Sequence, residues 1–391
     1  MKKYLIITLI LLVSSLHAQK FDGLALTPPM GWNSWNKFGC DINEKTIREM
    51  ADAMVSNGMR DAGYEYLVID DCWQIERDSN GTIIADPARF PSGMKNLGNY
   101  IHSKGLKFGI YSDAGTATCQ GRPGSRGYEF QDARTYAGWG VDYLKYDWCN
   151  HGKQNSEASY TTMRDALFKA GRPVVLSICE WGTTKPWEWG KNAGHLWRST
   201  EDIINCFDCR NYWGGLGVLQ IIDLFTDIGE YSGPGHWNDA DMLEIGNGML
   251  TPSEERLHMS MWSMFSSPLM AGNDLRTMPG ETVSILTNKD VLSVDQDKLG
   301  ISALRWMKYG DLEIWFKPLD GGAYAFCFIN RGNQVVTLDQ DLKTTIKKKY
   351  IIDDSFTIRD LWKHEDIGST RENIKGSLQA HDVLMIKLAK K

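Results

Sequence analysis

Apolar and polar positions divide the chain into two patterns. In the first, short apolar runs that end in polar residues alternate with stretches of helical spacing. YEYLVIDDCW (64–73), LKFGIYSDAG (106–115), VDYLKYDWCN (141–150), PVVLSICEWG (173–182), HLWRSTEDI (195–203), HWNDADML (236–243) and PLMAGND (268–274) all have the first form, and TPPMGWNSWNKFGC (27–40) precedes them. Runs of this length with polar ends predict strands. Residues 43–60 place Ile47, Met50, Ala51, Met54 and Val55 at helical intervals. Helices are likewise predicted at 94–104, 128–138, 159–171 with Gly171 as the stop, 218–232 and 255–267, with a helix pair at 282–296. Eight strands alternating with helices predict an α/β fold, an eight-stranded parallel (β/α)8 TIM barrel over residues 19–298. An open doubly wound sheet fits less well, because no GxGxxG opens the first helix.

Beyond residue 298 the pattern changes. LRWMKYGDLEIWFKPLDGGAYAFCFINRG alternates apolar and polar positions between glycine-rich turns. No long helical period follows, so residues 299–391 predict a C-terminal antiparallel β-sandwich. Its basic run, Lys347 to Lys349, is expected to be a solvated surface.

The net charge of −6 gives no basis for nucleic acid or an anionic membrane as partner. Fifteen Trp and fifteen Tyr favour a carbohydrate ligand modestly, since flat rings stack on sugars but also fill cores. At the N-terminus, Lys2 and Lys3 precede an apolar run from Leu5 to Val13, and Ser15, His17 and Ala18 follow. This predicts an export signal over residues 1–18, with cleavage after Ala18 and no membrane span afterwards. Export would leave the protein periplasmic or extracellular and make the eight cysteines candidates for disulfides. Only Cys206 and Cys209 form a CxxC, which excludes a four-cysteine zinc site by spacing, and pairing stays open at this point.

In a parallel barrel the chemistry lies where the strands end. Those ends carry Trp32, Asp70, Asp71, Tyr111, Lys145, Asp147, Cys179, Glu180, Trp181, Arg198, Asp202, Asp239 and Asp241. A single aspartate at such a place is ordinarily a helix cap or turn residue. Six or more at equivalent positions, with two cations and several indoles, describe a pocket for a neutral polyol. Carboxylates accept hydrogen bonds from hydroxyls, and indoles cover a sugar's apolar face. No loop has the regular ligand spacing of a calcium site, so neither metal nor cofactor is expected.

The motifs GWNSWNKFGC, YLVIDDCW, VDYLKYDWCN, ICEWG, LWRSTEDI, HWNDADMLEIGNG and SPLMAGNDLR, in this order, resemble glycoside hydrolase family 27. That family holds α-galactosidases and α-N-acetylgalactosaminidases. The resemblance implies a retaining double displacement with Asp147 as nucleophile and Asp202 as general acid/base, acting on α-galactoside oligosaccharides or polysaccharide side chains. It further implies that Asp70 and Asp71 grip the 4- and 6-hydroxyls, that Lys145 and Arg198 surround the 2- and 3-hydroxyls, and that Trp32 lies under the ring. Tyr111, Asp241 and Met242 match further lining positions. Cys179, Glu180 and Trp181 match the residues at the 2-position, where large side chains favour galactose over N-acetylgalactosamine. Lys145, two residues before Asp147, is expected to hold it ionised. The alternatives are a β-L-arabinopyranosidase or an α-N-acetylgalactosaminidase on the same fold, and a sugar-binding protein without activity. Cys40–Cys72 and Cys119–Cys149 match family disulfides. Cys206 and Cys209 fall outside the pattern and are expected to form a local disulfide, leaving Cys179 a free thiol in the pocket and Cys327 a buried one. Ala240 stands where the family has proline, which bears on the placement of Asp241.

Overall fold

The computed structural model describes residues 20–342 and 355–390. The expected export signal and the Lys347–Lys349 run lie outside them. Eight parallel strands form one curled sheet: β1 (Met30–Asn33), β2 (Tyr66–Ile69), β3 (Lys107–Asp113), β4 (Tyr143–Asp147), β5 (Val175–Cys179), β6 (Leu196–Arg198), β7 (Trp237–Asp239) and β8 (Leu269–Ala271). They pair in sequence order, and β8 returns to β1 with Met30 opposite Leu269. The circle closes just beyond β7, where Leu243 bridges to Ala271 in parallel. These strands are buried on both faces, which is why they read as continuous apolar runs. Close approach is built in at Gly31, where a Cβ would lie 2.2 Å from the Tyr66 carbonyl oxygen.

The helices follow from local signals. α1 (Glu44–Ser56) starts at Asn43, whose side chain accepts from Thr46 N, and it buries Ile47, Met50, Ala51 and Met54. α2 (Met94–Ser103) and α3 (Glu129–Trp139) precede α4 (Ser156–Ala170), which ends at Gly171 with φ 80°, as its position predicts. α5 (Val218–Leu224) is shorter than the 218–232 expected, because two 3₁₀ turns replace its second half. α6 (Pro252–Phe265) opens with a capping box between Thr251 and Glu254. The last two, α7 (Gly280–Leu286) and α8 (Lys289–Asp295), form the expected pair. A small hairpin, Gln74–Arg77 against Ile83–Ala85, follows β2 and was not legible in the apolar pattern.

The C-terminal region has a six-stranded antiparallel sheet in the order β9-β10-β11-β16-β13-β14: β9 (Leu304–Tyr309), β10 (Leu312–Leu319), β11 (Ala323–Asn330), β13 (Phe356–Asp360), β14 (Glu365–Ser369) and β16 (Val383–Lys390). Facing it are β12 (Val336–Gln340) and β15 (Ile374–Leu378). The two-residue period of β10 divides its work. Ile314 and Phe316 face the sandwich core with Leu338 and Ile374, while Trp315 joins the barrel core. Lys317, on the same face as Trp315, donates to the carbonyls of Ser263 (2.9 Å) and Val294 (2.7 Å) and to Ser266 Oγ (2.7 Å). This buried lysine thereby satisfies helix-end carbonyls of the barrel and fixes the sandwich against it.

Among the described residues no helix is long and apolar enough to cross a membrane. Cys40–Cys72, Cys119–Cys149 and Cys206–Cys209 are bonded, and Cys179 and Cys327 are buried thiols.

Candidate active site

The C-terminal strand ends surround a cavity of about 670 Å³. Asp70, Asp71, Tyr111, Lys145, Asp147, Trp181, Arg198, Asp202, Asp241 and Met242 line it, so ten of the expected residues converge. Asp147 ends β4 and is buried, with Oδ1 accepting from Trp148 N at 2.9 Å. Its other oxygen, Oδ2, lies 3.6 Å from Cys119 Sγ. Asp202 follows β6, and its side chain is 45% exposed, so solvent reaches it as it does not reach Asp147.

Two buried ion pairs frame these carboxylates. Lys145 Nζ donates to Asp70 Oδ2 at 2.8 Å, and Asn33 Nδ2 donates to the same oxygen at 2.7 Å. Arg198 lies 2.8 Å from Asp241 Oδ2 and 3.1 Å from Asp202 Oδ1. Each cation is therefore held by a carboxylate other than Asp147. Removing one partner from such a pair would leave a buried charge alone, which is strongly destabilising. Asp71 is fixed by Cys72 N on one oxygen and Gln120 N on the other.

The electrostatics correct one expectation. Lys145 pulls the Asp147 carboxyl downward, but burial outweighs it and Asp202 adds repulsion, so the group is pushed up to about 7. Burial lowers the Lys145 ammonium, but Asp70 and the other neighbouring anionic groups together outweigh it and hold it well above the usual lysine range, which keeps it charged. The lysine thus limits the shift of Asp147 without cancelling it.

Four expected residues, Trp32, Cys179, Glu180 and Asp239, lie outside the cavity lining. Trp32 is fully buried within β1 and donates its indole N–H to the Asn273 carbonyl at 2.7 Å. Trp35, two residues past the strand end, lines the cavity instead. Glu180 turns away, with Oε2 accepting from Thr184 N (2.7 Å) and Thr184 Oγ1 (2.8 Å). Cys179 is a buried thiol 3.9 Å from Arg198 Nη1, and burial followed by Asp147 raises its pKa, so it stays neutral. Neighbouring strand residues point to opposite faces, and Trp181, at φ 58°, is the member of this trio that reaches the cavity.

Ala240 in place of proline leaves Asp241 well held. Ala240 N donates to Ser267 Oγ at 2.9 Å, a bond proline lacks. Asp241 takes φ 74°, its N–H donates to Asp239 Oδ1, and its Oδ2 accepts from Ile203 N. The lining also includes Phe38, Cys119, Trp213 and Glu244, which sequence reasoning did not select. Asp113, at the end of β3, fixes the floor beside Asp147 by accepting from Gly115 N (2.6 Å) and Cys149 N (2.9 Å). Asp113, Cys119 and Cys149 cluster closely enough to suggest a metal site, but the two sulfurs are bonded to each other and offer no thiolate.

Comparison with known proteins agrees with this geometry. The family described as Alpha galactosidase A matches residues 27–297, and the family described as Alpha galactosidase C-terminal beta sandwich domain matches residues 309–388. The chain is 54% identical to Alpha-galactosidase A of Cellvibrio japonicus over 382 residues, covering 95% of this chain and 94% of that one. In structure it resembles α-galactosidase I of Mortierella vinacea with a TM-score of 0.91 at 38% identity, covering 94% of this chain and 98% of the other. It also resembles the Saccharomyces cerevisiae α-galactosidase solved with raffinose, with a TM-score of 0.90 at 31% identity and coverage of 96% and 99%.

Proposed function

The chain belongs to the α-galactosidases of glycoside hydrolase family 27, and on that premise we propose that it releases terminal α-galactosyl residues with retained configuration through a covalent galactosyl-enzyme. The observation that carries this is the pairing of a buried carboxylate, Asp147, with a solvent-reached one, Asp202, in a single cavity. In the first step Asp147 attacks the anomeric carbon. The bond to the leaving oxygen breaks, and Asp202 donates the proton that oxygen needs. Trp148 N–H holds Oδ1, which leaves Oδ2 as the attacking oxygen. In the second step Asp202 takes a proton from water, the water oxygen bonds to the anomeric carbon, and Asp147 leaves. Carboxylates about 5–5.5 Å apart serve this route, whereas inversion needs a wider gap for the water.

Substrate choice follows from the fixed charges. Asp70 and Asp71, held by Lys145, Cys72 N and Gln120 N, present acceptors to hydroxyls at the 4- and 6-positions, as galactose requires. Trp181 and Arg198 both line the cavity, and an indole at the 2-position would favour a 2-hydroxyl over a bulkier acetamido group. Raffinose, bound by the yeast relative, is the oligosaccharide we infer as a representative substrate. Three disulfides fit work in an oxidising compartment after export.

Proton NMR during early hydrolysis of an aryl α-galactoside tests the reading. We expect α-galactose as the first product, appearing before mutarotation. β-Galactose first would overturn the retaining route. A higher kcat/KM on the matching β-L-arabinopyranoside or α-N-acetylgalactosaminide would overturn the substrate assignment.

A further inference from the structure

Asp202 must reach the oxygen that joins galactose to its leaving group, so the leaving group emerges on the Asp202 side of the cavity. The segment after Asp202 folds back onto it. Leu216 N donates to the Asp202 carbonyl at 2.9 Å, and Ile204 N donates to the Leu216 carbonyl at 2.9 Å. The Cys206–Cys209 bond closes the base of this loop, where Gly217 N donates to Cys209 O and Val218 N to Cys206 O. At its tip, Asn211 N donates to Gly215 O, and Gly215 N donates to Asn211 Oδ1 at 2.8 Å. The loop and the acid/base residue therefore form one hydrogen-bonded unit.

Trp213 sits on this loop. Its indole forms part of the cavity wall and yet is 51% exposed. The ring packs against Gly215, where a Cβ would come within 2.5 Å of Trp213 Cη2, so the absent side chain makes room for the indole. Its neighbour Tyr212 is 99% exposed and takes no part in the wall. A half-exposed indole at the mouth of a polyol pocket offers an electron-rich face to the weakly positive C–H groups on one side of a pyranose.

We propose that Trp213 is a stacking platform for the first sugar of the leaving group, making this chain selective for α-galactosides attached to another sugar. The inference rests on the retaining α-galactosidase reading. Its occupant is a neutral hexose unit, as in raffinose, carried on the Asp202 side of the scissile bond.

Two substrates separate this role from others. Raffinose has a sugar leaving group, and α-galactosyl fluoride has none. Trp213→Ala is expected to lower kcat/KM for raffinose about fivefold to twentyfold, mostly by raising KM, because stacking binds ground and transition states alike. For α-galactosyl fluoride the same variant should stay within about twofold of wild type. Trp213→Phe should recover most of the loss, and Gly215→Ala, which displaces the ring, should reproduce part of it. Tyr212→Ala should change neither substrate. An unchanged kcat/KM for raffinose in Trp213→Ala would overturn the proposal. So would equal losses on both substrates, since these would mean that the loop acts through Asp202. If the wild-type protein does not turn over α-galactosyl fluoride at all, the galactosidase reading itself falls.

Discussion

Asp147→Asn is expected to lower kcat by at least about ten-thousandfold, because the amide cannot form the galactosyl ester. The protein should remain folded and melt at a higher temperature than wild type at pH 7.5. The sign follows from the environment of the carboxyl. Burial, only partly offset by Lys145 and reinforced by Asp202, lifts it to about 7 in the folded chain, against about 4 when unfolded. The folded form therefore keeps a proton through pH 4–7 that the unfolded form has lost. Stability falls as pH rises through that window, and at pH 7.5 the full penalty of the buried charge is present. A neutral amide removes the penalty. Kinetics on an aryl α-galactoside and a thermal melt of the same preparation check both halves. Near-normal turnover would remove Asp147 from its role, and a lower melting temperature would contradict the account of its charge.

The second large effect belongs to Asp202. Asp202→Ala should lose roughly 10²–10⁴ in kcat/KM for raffinose, whose leaving group needs a proton, and far less for α-galactosyl fluoride, whose leaving group does not. Azide should then raise kcat on the fluoride by replacing the water that Asp202 would have activated, and the product should be α-galactosyl azide. Removing the negative charge of Asp202 also lowers the pKa of Asp147. The acid limb of kcat/KM on the fluoride, which follows Asp147 ionisation, should accordingly move to lower pH. Absence of azide rescue, or a limb that moves to higher pH, would contradict the assignment. Arg198 keeps Asp241 as a partner in this variant, so it is not left as an unpaired buried cation.

The barrel was legible because both faces of its strands are covered, and continuous apolar runs ending in carboxylates mark such strands. The ten converging residues were legible because the strand ends of a parallel barrel all face one side. The departures from the expected lining have a local cause. Trp32 and Trp35 both stand in GWNSW, and only the actual end of β1 at Asn33 decides which indole stays in the core and which one passes into the wall. Glu180 and Trp181 are adjacent, and the positive φ at Trp181 decides which of them faces the cavity. The short 74–85 hairpin carries too few apolar positions to produce a period. Trp213 was invisible as a site residue because its loop returns to Asp202 through backbone bonds, which no side-chain pattern encodes.

The position of the electrostatic pairs was the least predictable part. Spacing places Lys145 and Asp147 on one face of β4, but the lysine reaches across to β2 and binds Asp70. The result is a proposed nucleophile beside a cation already committed to Asp70, in a cavity that desolvates it. On the proposed reading, substrate would enter a site whose hydroxyl acceptors are fixed beforehand, leaving little reorganisation for the reaction itself.

The covalent intermediate is the centre of the proposed mechanism, and trapping it tests that mechanism most directly. A 5-fluoro-α-galactosyl fluoride, whose electron-poor ring slows the second step, should add one fluorogalactosyl unit to the intact protein. Peptide mass spectrometry should then place that unit on Asp147. A fluorogalactosyl adduct on any other residue would contradict the account, as would steady release of fluorinated sugar without any protein-bound species.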